Sequence, residues 1–153
     1  MSPFQHILIP TDFSHSAWKA VQMGLTLADH EDSSIVLLHV FPSSAKFTNG
    51  KKVSLEDEKQ IQSLQEQMDD FCKSLQESSR ATIIPKILRG KVEHEILQYI
   101  DKYAFDMVIL GINSNGADNH PGSHVSNIIE QANAPVMVIP NYLESEIKEK
   151  VPA

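Results

Sequence analysis

Five short apolar runs, each followed or preceded by a segment of helical periodicity, constrain the fold of this chain more than anything else in it. Phe4-Gln-His-Ile-Leu-Ile ends at Pro10, and Ser34-Ile-Val-Leu-Leu-His-Val-Phe ends at Pro42. Thr82-Ile-Ile-Pro-Lys-Ile-Leu, Asp106-Met-Val-Ile-Leu-Gly and Ala134-Pro-Val-Met-Val-Ile follow. Near-continuous apolar character, without polar alternation, is the pattern of strands covered on both faces, as in parallel sheets. Between the runs the spacing changes. Ala17, Ala20, Val21, Gly24, Leu27 and Ala28 recur at helical intervals behind Ser14, a residue suited to cap a helix. Ile61, Leu64, Met68, Phe71, Cys72 and Leu75 form the stripe of a long helix, opened by a capping-box pair at Ser54 and Asp57. Gly90 begins the next turn, and Val92, Ile96, Ile100 and Tyr103 are expected to face the core from a third helix. Val125, Ile128, Ile129 and Ala132 make the apolar stripe of a fourth.

The resulting order βαβαβαβαβ predicts an α/β fold: a single doubly wound, Rossmann-like parallel sheet of five strands with helices on both faces. Pro85 cannot donate to a ladder, so the third strand belongs at an edge, which fits the strand order 3-2-1-4-5. Strands one and four are then neighbours whose connections leave in opposite directions. The crevice at their carboxyl ends is the topological switch point where ligands bind in open α/β sheets. Thr11 and Asp12 stand on one lip of it, and Gly111 with the loop after it on the other. Gly122-Ser123 opens the fourth helix at that rim, and a helix start offers free N–H groups and a positive dipole end to phosphate. Residues 1–140 are expected to form one domain, and 141–153 a charged tail.

Bulk properties narrow the function. The hydrophobic fraction of 41% and the charged fraction of 22% suit a globular protein. A formal net charge of −7 argues against a nucleic-acid surface, which wants Lys and Arg. No apolar run approaches the ~20 residues of a membrane span, and no signal-peptide pattern precedes Phe4. With Cys72 as the one cysteine there is no disulfide framework and no Cys-based zinc site, so a cytoplasmic location is expected. The seven histidines (6, 15, 30, 39, 94, 120 and 124) are scattered without metal-ligand spacing, and no metal site is expected. Gly111 and Gly116 have the spacing of the first half of a phosphate loop, but Ala117 stands where the Lys should be. Ser123 has no nucleophile elbow around it.

The strand and loop residues His6-Ile-Leu-Ile-Pro-Thr-Asp-Phe-Ser, Leu37-Leu-His-Val, Gly90, Asp106-Met-Val-Ile-Leu-Gly, Gly122-Ser and Ala134-Pro-Val-Met-Val-Ile resemble, in order and spacing, the universal stress protein family. The resemblance covers Phe4 to Ile139. Members divide into a type that binds ATP through a Gly-x2-Gly-x9-Gly-Ser/Thr motif after strand four and a type that lacks the motif. Gly111 and the pair Gly122-Ser123 match its ends. Ser114 takes the middle glycine's place, and Gly116 is the nearest substitute after a shift of register. Only the seven residues Asn115 to Pro121 separate Ser114 from Gly122, and the loop carries no Lys or Arg. The resemblance implies that Asp12 lies near the base or ribose, that the Val40 backbone reads the adenine edge, and that Pro10 and Thr11 line the same wall. His124 either approaches a phosphate or is simply a residue of the helix start.

The expected function is a stress-response module that binds an adenine nucleotide (ATP, ADP or AMP, with Mg²⁺ only if a triphosphate binds) with little or no catalysis. The alternatives are a nucleotide-free member acting through dimerisation and protein partners, and a slow nucleotide hydrolase. The fifth strand, Val136 to Ile139, is apolar and falls at the second sheet edge, so a homodimer through it is expected.

Overall fold

The computed structural model describes residues 4–42, 55–112 and 123–140. Its elements are β1 (His6–Pro10), α1 (His15–Leu27), β2 (Ser34–Pro42), α2 (Leu55–Gln76), β3 (Thr82–Gly90), α3 (Val92–Lys102), β4 (Met107–Ile112), α4 (Ser123–Gln131) and β5 (Val136–Pro140). The strands form one sheet in the order β3-β2-β1-β4-β5. Every pairing in it is parallel.

The apolar continuity of β1 has its explanation in two cores. Ile7 and Ile9 join Ile35, Leu37 and Ile109 on the face covered by α1 and α2. Leu8 joins Val36, Leu38, Val40, Val108 and Leu110 on the face covered by α3 and α4. All three β1 residues are fully buried, and each such side chain contributes roughly 1.5–3 kcal/mol of burial free energy. At the opposite end of the strand, Oδ2 of Asp106 accepts hydrogen bonds from the Gln5 and His6 N–H groups at 2.9 and 2.8 Å, tying the start of β4 to β1.

Ser14 caps α1, its Oγ accepting from the Ala17 N–H at 3.3 Å. On α2 the expected stripe is inward, with Ile61, Met68, Cys72 and Leu75 buried. The Ser54 half of its capping pair lies outside the described residues. Pro85 sits opposite Leu37 on the edge strand, its missing N–H directed away from the ladder.

Three local expectations are corrected. Gly90 ends β3 instead of beginning a turn, because Leu88, Arg89 and Gly90 extend the ladder against Val40, Phe41 and Pro42. Its φ of 143° is open only to glycine. Tyr103 is 45% exposed, since α3 ends at Lys102 and the extended backbone of Tyr103 turns its side chain off the stripe and against the ring of Tyr99. Ile129 is 49% exposed beside a buried Ile128, because adjacent helical positions point about 100° apart and the core face is taken by Val125, Ile128 and Ala132.

Candidate functional site

β1 and β4 pair at the centre of the sheet, and the helices that follow them, α1 and α4, lie on opposite faces. The gap this leaves at their carboxyl ends is a cleft of about 470 Å³. That falls in the size range of small-molecule sites. Pro10, Thr11 and Asp12 form one lip, Leu110, Gly111 and Ile112 the other, and Leu38, His39 and Val40 of β2 the side. Val92 and Ile96 of α3 and Val125 and Ile128 of α4 supply an apolar wall. A 2.8 Å hydrogen bond from Asn127 to Glu93 braces those two helices against each other.

The turn between β1 and α1 is held by its own side chains. The Thr11 N–H donates to the Leu38 carbonyl at 2.8 Å, continuing the sheet by one bond. Thr11 Oγ1 accepts from the Phe13 N–H at 3.0 Å, and Asp12 Oδ1 accepts from the Ser14 N–H at 2.9 Å. Between them Phe13 adopts φ 63°, the left-handed region. For a residue of its size that conformation costs roughly 1–3 kcal/mol and persists only where surrounding contacts over-determine it. Those contacts are the two side-chain bonds and the tilted packing of the Phe13 ring on His39, centroids 5.0 Å apart.

Gly111 approaches α1 closely. A Cβ built on it would lie 2.1 Å from the Ser16 carbonyl oxygen, so glycine is required for the strand to reach the helix start. Buried Ser16 lines the cleft there, with its hydroxyl 3.0 Å from that of Ser14.

Five of the expected site residues, Pro10, Thr11, Asp12, Val40 and Gly111, line this one cleft. Ser123 and His124 belong to the first turn of α4, whose Val125 and Ile128 reach the cleft. Gly116 and Gly122 lie outside the described residues. His39 was not singled out by the sequence, where it counted as one histidine among seven. It was legible in another way, as the single polar residue inside the apolar run Ile35 to Phe41.

The described lining residues offer binding contacts. Apolar walls suit a flat ring, and the Asp12 carboxylate, the only ordinarily charged side chain among the described lining residues, suits hydroxyl or amine donors. The serine hydroxyls described at the lip bond to each other and to the helix cap, not to a base. Among the described residues no three His, Cys, Asp or Glu side chains are placed to hold a metal ion. No described helix is long and apolar enough to cross a membrane.

A family model described as the universal stress protein family matches residues 3–140. The chain is 27% identical over 144 residues to universal stress protein G of Shigella flexneri, covering 89% of this chain and 99% of that one. Among solved structures, a universal stress protein family protein of Arabidopsis thaliana with AMP bound superposes with a TM-score of 0.64 at 20% identity, covering 95% of this chain and 97% of that one. A universal stress protein in complex with cAMP gives a TM-score of 0.65 at 16% identity, with 90% and 98% covered. At such identities the structural likenesses establish the shared fold.

Proposed function

Because this chain belongs to the universal stress protein family, we propose that it is a cytoplasmic stress-response module that binds an adenine nucleotide in the cleft between β1 and β4, with little or no catalysis. The observation that carries the reading is the convergence of Pro10, Thr11, Asp12, Val40 and Gly111 on one cleft at the sheet's switch point. Two relatives of the same fold, one with AMP and one with cAMP, support it.

In this reading the apolar wall takes the adenine, and the Val40 backbone recognises its edge. Asp12 accepts from the ribose hydroxyls. Gly111 and Gly116 belong to the loop beside the phosphates. Gly122, Ser123 and the start of α4 supply N–H and hydroxyl donors to one phosphate group, with His124 beside them. Mg²⁺ enters only with a triphosphate. The protein then acts as a homodimer joined through β5, and nucleotide occupancy is what it reports to its partners.

Mass spectrometry of the small molecules released from purified protein tests the reading directly. Adenine nucleotide should be recovered, or should bind in calorimetry when AMP is added. Asp12→Ala should weaken AMP by about tenfold, the loss expected when a charge-assisted hydrogen bond is removed at a partly exposed lip. Protein that neither carries nor takes up AMP, ADP or ATP would favour the nucleotide-free alternative.

A further inference from the structure

We propose that His39 is the positioning residue of this cleft: its imidazole fixes the β1–α1 turn, and through the turn it holds Asp12 where a ligand meets it. The inference rests on the reading that the cleft takes an adenine nucleotide.

On β2 the side chains alternate between the two cores. Val36, Leu38 and Val40 face the α3–α4 side, while Ile35 and Leu37 face the α1–α2 side. By the same alternation His39 points to the α1 side, under the turn, where it meets Phe13. Its Nδ1 lies 2.8 Å from the carbonyl oxygen of Thr11. A carbonyl can only accept, so Nδ1 carries the hydrogen. Thr11 is 8% exposed, and each of its polar groups has a partner: the N–H on Leu38, the hydroxyl on Phe13, the carbonyl on His39.

The hydroxyl bond is local to the turn. The N–H bond belongs to the sheet and ends with it. The His39 bond is the tie that reaches from the neighbouring strand to the carbonyl leading into Asp12. Without it, a buried carbonyl would lose its donor at the point where the chain turns into the left-handed Phe13. The turn could then relax toward an ordinary conformation, carrying Asp12 with it. The His39 ring also backs Phe13, so the same side chain supports the strained residue from below and the carbonyl before it.

Two substitutions separate these contributions. His39→Phe keeps a ring against Phe13 and removes the donor. His39→Asn removes the ring and sets an amide N–H near the former Nδ1. Amide hydrogen exchange at Phe13 and Ser14 in the ligand-free protein reports on the turn, and calorimetry with AMP reports on the site. His39→Phe should speed exchange at both amides and weaken AMP by about tenfold, as expected for one net hydrogen bond. His39→Asn should bring AMP affinity back to within about threefold of the parent chain. The proposal is overturned if His39→Phe binds AMP and protects both amides like the parent, or if a folded His39→Asn is as weak as His39→Phe. If the parent chain binds no nucleotide while exchange still follows the donor, the nucleotide reading fails and the role of His39 in holding the turn stands.

Discussion

A methyl group added at Gly111 would fall 2.1 Å from the Ser16 carbonyl oxygen and 2.5 Å from its carbon, both backbone atoms that cannot swing aside. The glycine expected to serve a phosphate is therefore needed first to let β4 meet the start of α1. Gly111→Ala should destabilise the fold by roughly 1–3 kcal/mol, the usual cost of forcing atoms into a packed contact. A lower urea midpoint would show it, and ligand loss in that variant should be judged only after the midpoint is known. At Cys72 the same scale gives a pH dependence. Burial, with a further contribution from Asp69, raises the thiol from 9.0 to about 11. Between those values the folded state holds a proton that the unfolded state has released. Stability from this group is thus complete below about pH 9 and declines as pH rises toward 11. Iodoacetamide at pH 8 should leave folded protein unlabelled over the time in which urea-unfolded protein reacts fully, since the thiolate is the nucleophile. Rapid labelling of the folded chain would contradict that burial.

Elements were more legible than the side chains between them. Unbroken apolar runs identify strands covered on both faces, and Pro85 alone argues β3 to an edge, where it lies. At Tyr103 and Ile129 the physical reason is phase: an apolar residue near a helical stripe is not distinguished from one on it until the helix end and its phase are known. The role of His39 needed the sheet itself, because only strand alternation and the β1–β2 register bring it beneath Thr11. Gly116 and Gly122, proposed to stand beside the phosphates, lie outside the described residues. At this scale β5 carries its own prediction. It forms the outer edge opposite β3, and each of its residues is half-buried, so among the described residues apolar surface remains along a strand paired on one side. A second copy of the chain can cover such an edge. Sedimentation should find a dimer at micromolar concentration, and Val138→Lys should shift it toward monomer. Monomer throughout for the parent chain would rule this interface out.

For the whole molecule, charge decides which ligand fits best. The chain carries a formal net charge of −7, and the residues from Gly111 to Gly122 include no Lys or Arg. Among the described lining residues the only ordinarily charged group is the carboxylate of Asp12. A terminal phosphate therefore gains no cationic partner from these residues and enters a field of its own sign. Each missing charge-assisted bond forgoes roughly 1.5–3 kcal/mol, about ten- to a hundred-fold in affinity. The base and ribose contacts proposed for the cleft are the same for all three nucleotides, so AMP and ADP should bind about as well as ATP. The repulsion is screened by salt, so raising ionic strength should improve ATP binding relative to AMP, the reverse of what a cationic phosphate site would show. The same shortage of cationic clamps, with no base paired to a nucleophile in the described lip, leaves little to stabilise a transferring phosphoryl group, and ATP turnover should stay far below ordinary enzymatic rates. Calorimetry with AMP, ADP and ATP at two salt concentrations decides between the two pictures. ATP held a hundred-fold tighter than AMP, and weakened by salt, would mean that residues 113–122 grip the terminal phosphate through backbone N–H groups strongly enough to overcome the net charge.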